Sequence, residues 1–576
     1  MPNLQPMPSD LADAIHKDAP EQLGTFDAVV VGAGAAGGLA AERLTQGGLN
    51  VLVLDAGFRA PFLRAPLRRL ISETVSRLAN PNFLPFMPPF LLYNGRRALK
   101  LLGHIHQPVQ TKCYAWEGRP EAFVDDRECP YTTPPGHPFV WVRARGLGGR
   151  VGIPGHGRCY FRLGHDDFAP ADGESPPWPF APEEMDPWYA DVEKRLGMSG
   201  SCDGLPWLPD SEIARPLAPT EAEAALMSLV KARWPGFRPV LARFAPPPDT
   251  LEGAALTGRL TLRQGAIVRA VEVAGGRVTG LRWFDQTSRC ERRVMSPRVF
   301  LCASALESTR ILMLSQEATN GHSLGTQSNA LGRYLMDHVM LRANGIGARL
   351  PGVAPSRIEY GRCVYLPRFD ARESGTPKPG RGFGVQIYQI DIGQGCSLFN
   401  AAAFAEMLPR PENRITLNRQ RVDRWGIPAL HIDCVHGHKD LRLAADQNKA
   451  LRELADVAGV SLREIGSAPS PPGMAFHECG TARMGQDPAT SVLDPYNQCW
   501  DARGLYVTDS ASFPSQGAQN PTLTVMALTA RACAHALWRD DCDGQFSATR
   551  ATPSRSNTTA GPPGRARPPS TPPQSS

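Results

Sequence analysis

Long apolar runs are missing from this chain. No stretch of about 18 consecutive apolar residues occurs, so no membrane-spanning helix is expected. The most apolar candidate, residues 83–92, is short and broken by Pro85, Pro88 and Pro89. It reads as a loop packed on the surface. Residues 1–25 lack a basic start followed by an apolar core, so no secretory signal is visible and a cytoplasmic location is expected. Paired cysteine spacings are missing as well. The 13 cysteines are odd in number and scattered, without one CxxC, which reads as reduced thiols in a reducing compartment. Cys434, His436 and His438 lie close along one strand, and His104 and His106 offer two ligands only. Both groups read as packed or solvated, and no metal is expected. Charge of one sign is also lacking: 62 basic against 56 acidic residues leave +6. With no basic stripe interleaved with aromatics, nucleic acid is a poor partner. No internal repeat is present.

What is there begins with size. A chain of 576 residues, 42% hydrophobic and 20% charged, has the make-up of a large globular protein with more than one packed unit. The run Phe26-Asp27-Ala28-Val29-Val30-Val31-Gly32-Ala33-Gly34-Ala35-Ala36-Gly37-Gly38, followed by Val51-Leu52-Val53-Leu54-Asp55, reads as strand, glycine loop, helix, strand, acid. A continuous apolar run suits a strand buried on both faces of a parallel sheet. Gly32 permits the tight turn, Gly34 the close approach of a pyrophosphate, and Gly37 the packing of helix on sheet. Ala35 and Ala36 place the helix N-terminus, with its free N–H groups, at the phosphates. Asp55 lies where a carboxylate binds ribose hydroxyls. The unit therefore reads as a dinucleotide site, with NAD and FAD both open.

Further along, residues 58–147 are rich in proline and aromatics without a clear period, as in long connections that cover a site. Arg145-Gly146-Leu147-Gly148-Gly149-Arg150 offers a second close backbone approach. A helix is expected to start at Trp178-Pro179-Phe180-Ala181-Pro182-Glu183-Glu184 and to end near Gly197. Residues 260–284 read as a hairpin, and 299–302 as a short buried strand that runs through Ala303-Ser304-Ala305 into a helix at 306–314. Strands are expected at 383–390, 414–417 and 429–434, and a helix at 440–457. Residues 545–576 hold many Pro, Ser, Thr and Arg and read as disordered.

Two late segments carry dense signal. One is His477-Glu478-Cys479-Gly480-Thr481-Ala482-Arg483-Met484-Gly485. The other is Gly504-Leu505-Tyr506-Val507-Thr508-Asp509-Ser510, continuing to Gln519-Asn520-Pro521-Thr522-Leu523-Thr524 before a helix at 522–537. Together with the glycine loop, 145–149, 299–308 and Leu331-Gly332-Arg333-Tyr334-Leu335-Met336-Asp337-His338, they make the chain resemble the glucose–methanol–choline (GMC) oxidoreductase family of flavoproteins. The matching blocks run in the family's order from about residue 26 to about residue 540.

The resemblance implies an α/β fold in which a Rossmann-like FAD-binding domain is assembled from 25–57, 258–340 and 473–541. An α+β substrate-binding domain on an antiparallel sheet, 341–472, is inserted, residues 58–257 supply covering and flavin-contact loops, and 1–24 form a flexible leader. It implies that His477 and Asn520 face the flavin and oxidise an alcohol, His477 as base and Asn520 as donor to the developing alkoxide. It places Gly148 and Gly149 near the flavin, Val268 at the adenine, Ala303 at the adenosine, and Asp509 and Thr522 at the pyrophosphate and ring edge. Cys479 reads as a small buried residue. One departure stands out: many members have small hydroxyl residues and then Asn after the double glycine, whereas this chain has Arg150-Val151-Gly152-Ile153-Pro154. Some relatives join FAD covalently to a His near this point. Ile153 cannot do so and His156 is left open, so non-covalent FAD is assumed.

The blocks 131–136 and 145–150 look most like sugar and sugar-acid dehydrogenases, which points to a polyol or sugar-like substrate. Oxygen, a quinone or a cytochrome stay open as electron acceptor, as does a small partner subunit that directs export. The alternative readings are a member of this family with lyase-like or light-driven chemistry, and a binding protein that has lost FAD. The intact set Gly32, Gly34, Gly37 and Asp55 argues against the last.

Overall fold

The computed structural model describes residues 24–57 and 100–543, apart from 102, 172, 247–248, 319–323, 326–327, 355–356 and 378–379. The leader up to residue 23, the 83–92 loop and the 545–576 tail lie outside the described residues.

A five-stranded sheet holds the first glycine loop. Its order is Leu505–Val507, Val299–Leu301, Ala28–Val31, Val51–Asp55 and Leu260–Gln264, and every pairing is parallel. The first four of these strands in that order are buried along their whole length, as runs such as Val-Val-Val demand when both sheet faces are covered. One cover is the helix Ala35–Gln46, which packs against the late helix Thr522–Asp543. The beginning and the end of the chain thus share one core. Gly37 makes the first helix fit: a Cβ there would lie 1.8 Å from the carbonyl oxygen of Gly32.

The hairpin expected at 260–284 divides differently. Leu260–Gln264 belongs to the parallel sheet, while Ala266–Ala274 and Arg277–Asp285 form the hairpin, joined by a third strand, Cys290–Met295. Gly265 marks the break: its φ of +73° turns the chain out of one sheet and into the other. The expected helices appear as Asp186–Leu196, stopped by Gly197, then Ala305–Ala318, His438–Val457 and Thr522–Asp543.

A second sheet of six strands runs Val460–Ile465, Val339–Gly347, Cys396–Ala405, Phe383–Gly393, Val364–Leu366 and Val240–Leu241, all antiparallel. Cys396–Ala405 alternates buried and half-buried positions, as a strand with one covered face does. The helix His438–Val457 lays Ala444, Gln447, Ala450, Leu451, Leu454 and Ala455 on this sheet at helical spacing. The strands expected at 414–417 and 429–434 form a separate pair, Arg414–Val422 with Pro428–Asp433. Among the described residues, no helix is long and apolar enough to cross a membrane, and no three His, Cys, Asp or Glu side chains cluster as metal ligands.

Candidate active site

A cavity opens at the ends of the parallel strands Ala28–Val31 and Val51–Asp55. Gly32, Gly34, Ala35, Ala36, Asp55, Gly149, Val268, Ala303, Asp509 and Thr522 line it, with His477 and Asn520. Two residues expected at the cofactor do not line it. Gly37 is used for helix packing, and Gly148, at φ +84°, donates its N–H to the Ala33 carbonyl at 3.0 Å. Gly148 thereby docks the second glycine loop on the first, where Gly149 and Gly34 meet backbone to backbone.

The end beside the parallel sheet has what a dinucleotide requires. Gly34 caps the first helix without a side-chain hydrogen bond, so the leading amides stay open toward the cavity. A Cβ on Gly32 would lie 2.6 Å from the Cys302 carbonyl oxygen, so this approach is reserved for glycine. The buried Asp55 carboxylate accepts from the amides of Ala33 (2.9 Å) and Gly57 (2.7 Å), which fixes it at the strand end, and burial raises its pKa. Asp509 accepts from the Ser308 hydroxyl and from the Ala511 amide, and burial pushes its pKa up to about 6.

At the other end, hydrogen bonds line up in one direction. His338 Nε2 lies 3.1 Å from the Gly517 carbonyl oxygen, which can only accept. His338 therefore carries its proton on Nε2. Burial lowers its pKa to about 4 and keeps it neutral, so its Nδ1 is a lone pair. His477 Nδ1, 2.7 Å away, must donate to it. Burial also holds the His477 pKa well below 6.5. Its Nε2 is then a lone pair, and the Asn520 amide nitrogen donates to it at 3.1 Å. Asn520 Oδ1 in turn accepts from Gln386 Nε2 at 2.7 Å, and Gln386 Oε1 faces the Cys159 thiol at 3.7 Å. One carbonyl thus sets the tautomer of both imidazoles and the orientation of both amides.

The loop that carries His477 hangs on Asp337, which is fully buried. Its two oxygens accept from the amides of Gly473 (2.7 Å), Ala475 (3.1 Å) and His477 (3.0 Å). Burial raises its pKa to about 7, and the Glu478 charge adds to this. The departure at Arg150 has a physical reason. Its guanidinium pairs with buried Glu478 at 3.0 Å and ties the second glycine loop to the His477 segment, a link that a serine could not make.

His338, Gln386, Gly517 and Arg150 had no role in the sequence reading. A signal existed for two of them. His338 closes the 331–338 block, and Gln386 is the polar side chain in the fully buried stretch 383–387 that opens the strand Phe383–Gly393. Gly517 had none, because its partner lies far off in the chain; Arg150 stood out only as a departure, and its partner Glu478 is distant in the chain as well.

The family described as GMC oxidoreductase matches residues 409–529. A 2-methyl-1,2-propanediol dehydrogenase of Mycolicibacterium austroafricanum is 27% identical, over 62% of this chain and 73% of its own. A 6'''-hydroxyparomomycin C oxidase of Streptomyces lividus is 26% identical, over 92% and 96%. A crystal structure of pyridoxine 4-oxidase from Mesorbium loti superposes with a TM-score of 0.58 at 18% identity, covering 88% of this chain and 98% of that one, a likeness of α/β fold.

Proposed function

We propose, for a chain that is an oxidoreductase of the GMC family, that it oxidises an alcohol, of polyol or sugar-like class, to a carbonyl with non-covalently held FAD. The observation that carries this reading is the His477 Nε2 lone pair, presented to the cavity beside Asn520.

The residues that would hold FAD are the cavity-lining set from Gly32 to Asp55, with Gly149, Val268, Ala303, Asp509 and Thr522. Bound FAD supplies the acceptor for the hydride that leaves the carbinol carbon. His477 Nε2 takes the hydroxyl proton, a step worth about 10²–10⁴-fold. The imidazolium that results keeps Nδ1–H on the neutral Nδ1 of His338, so the ring neither rotates nor loses a partner as it charges. Asn520 Nδ2 moves from the protonated Nε2 to the substrate oxygen, where an N–H stabilises developing negative charge. Its Oδ1, held by Gln386, keeps the amide from flipping. The half-buried Phe404, whose ring centroid lies 5.7 Å from that of His477, and the buried Phe476 next to His477 in the chain limit water at the base.

Anaerobic mixing of the flavin-loaded protein with a panel of primary and secondary alcohols, polyols and sugars tests the reading. Bleaching of the flavin by members of the panel is expected. A flavin that no alcohol bleaches would overturn it.

A further inference from the structure

Five arginines line the cavity: Arg143, Arg145, Arg150, Arg158 and Arg310. Four of them have a carboxylate. Arg143 lies 3.6 Å from Asp126, Arg145 3.6 Å from Glu307, Arg150 3.0 Å from Glu478 and Arg310 2.9 Å from Asp423. Arg158 has none among the described residues. It is 7% exposed, and its one hydrogen bond runs from Nε to the Val151 carbonyl at 3.2 Å. Its two terminal nitrogens meet no protein acceptor. A guanidinium withdrawn from water without a counter-charge is costly, and an anion from outside relieves that cost.

The surroundings narrow what the anion belongs to. Next to Arg158, His156 Nδ1 lies 2.9 Å from the Gly157 carbonyl and must donate to it. Burial lowers the His156 pKa to about 4, so the ring is neutral. Its Nε2 is then a buried lone pair without a partner, suited to accept from a hydroxyl. The His156 ring packs on Tyr114, which packs on Phe476, the neighbour of His477. One wall of the cavity thus carries a free guanidinium, a free hydroxyl acceptor and the proposed base.

Resting on the proposed alcohol oxidation, we infer that Arg158 and His156 form a subsite for the carboxylate and a second hydroxyl of a polyhydroxy acid, oxidised at the hydroxyl that reaches His477. The guanidinium would take the carboxylate through its two terminal nitrogens, the geometry that arginine matches best.

The test uses flavin-loaded wild type, Arg158→Met and Arg158→Lys. Hydroxy acids are each paired with a neutral counterpart (gluconate with sorbitol, glycerate with glycerol, lactate with propane-1,2-diol), and anaerobic bleaching gives kcat/KM. In parallel the oxidised proteins are titrated with acetate, which has no hydroxyl to oxidise, and flavin absorbance is followed. The acid is expected to exceed its counterpart by about tenfold or more in wild type. Arg158→Met should lower that ratio by about 10–100-fold and abolish the acetate response, and Arg158→Lys should restore part of both. A ratio near one in wild type, or one unchanged by Arg158→Met, would overturn the subsite. So would an Arg158→Met protein that loses flavin or slows equally on both members of a pair, because the guanidinium would then serve the cofactor's own negative charge. If no alcohol bleaches the flavin, the proposed function fails instead, and the acetate titration still decides the subsite.

Discussion

At one end of the cavity, Gly32, Gly34, Ala35, Ala36 and Asp55 all come from a single strand–loop–helix–strand unit. At the other, Arg158, His338, Gln386, His477, Gly517 and Asn520 come from loops and strands spread over more than half the chain. The first end works by backbone: open amides, a fixed carboxylate and glycines where no Cβ fits. The second works by side chains held in one protonation pattern. A backbone site tolerates almost any neighbour but no added atom at its glycines. A side-chain site tolerates changes of volume but no reversal of a hydrogen bond.

This contrast can be broken at either end. The largest effect is expected at Gly37. Gly37→Val places a side chain against the Gly32 carbonyl, which a Cβ would already approach to 1.8 Å, so the purified protein should carry no flavin absorbance and no activity. His338 comes next. His338→Leu removes the acceptor for His477 Nδ1–H and leaves the tautomer unset, at an expected cost of about 10²–10³-fold in kcat. His338→Gln, which can donate to Gly517 and accept from His477, should restore most of it. The pH profile sharpens this. His477 must be neutral to take a proton, and burial sets its pKa below 6.5. The rate should therefore be level above 6.5 and fall as pH drops through the lowered value. The unfolded chain binds protons that the buried imidazole refuses, so calorimetry should show the Tm declining with pH below about 6.5 while the protein stays folded at the assay temperature.

A smaller effect is expected at Asp337. Asp337→Asn turns one of three accepted backbone amides toward an N–H it cannot pair with. About 1–3 kcal/mol of unfolding free energy should be lost, measured by denaturant titration. The smallest is at Gln386. Gln386→Leu frees the Asn520 amide to flip, and a few-fold drop in kcat with little change in bound flavin should follow.

The same contrast explains how much the sequence revealed. The glycine-loop end was legible because its signal is local: a glycine loop between two apolar strands, with an acid 18 residues after Gly37. The partner Val299–Leu301 was expected from a short apolar run that passes into small residues, and Leu505–Val507 from a short run that ends at Asp509; both lie in the parallel sheet. Leu260–Gln264 was placed in the hairpin because alternation alone does not tell which sheet a strand joins. His477 and Asn520 were found through the family's motifs, and no spacing rule could have paired residues 43 positions apart. Arg158 was invisible, since an arginine in a loop is ordinary until every other arginine around the cavity is seen to have its carboxylate. His338 was quoted as part of a motif, yet its role needed the Gly517 carbonyl 179 residues downstream.

The central claim is that the His477 lone pair takes the proton of an alcohol at this cavity. Stopped-flow mixing of His477→Ala with the best alcohol, without oxygen, tests it most directly. The account predicts a yellow, folded protein whose flavin is reduced at least about 10²-fold more slowly than in wild type, and reduction at the wild-type rate would contradict it.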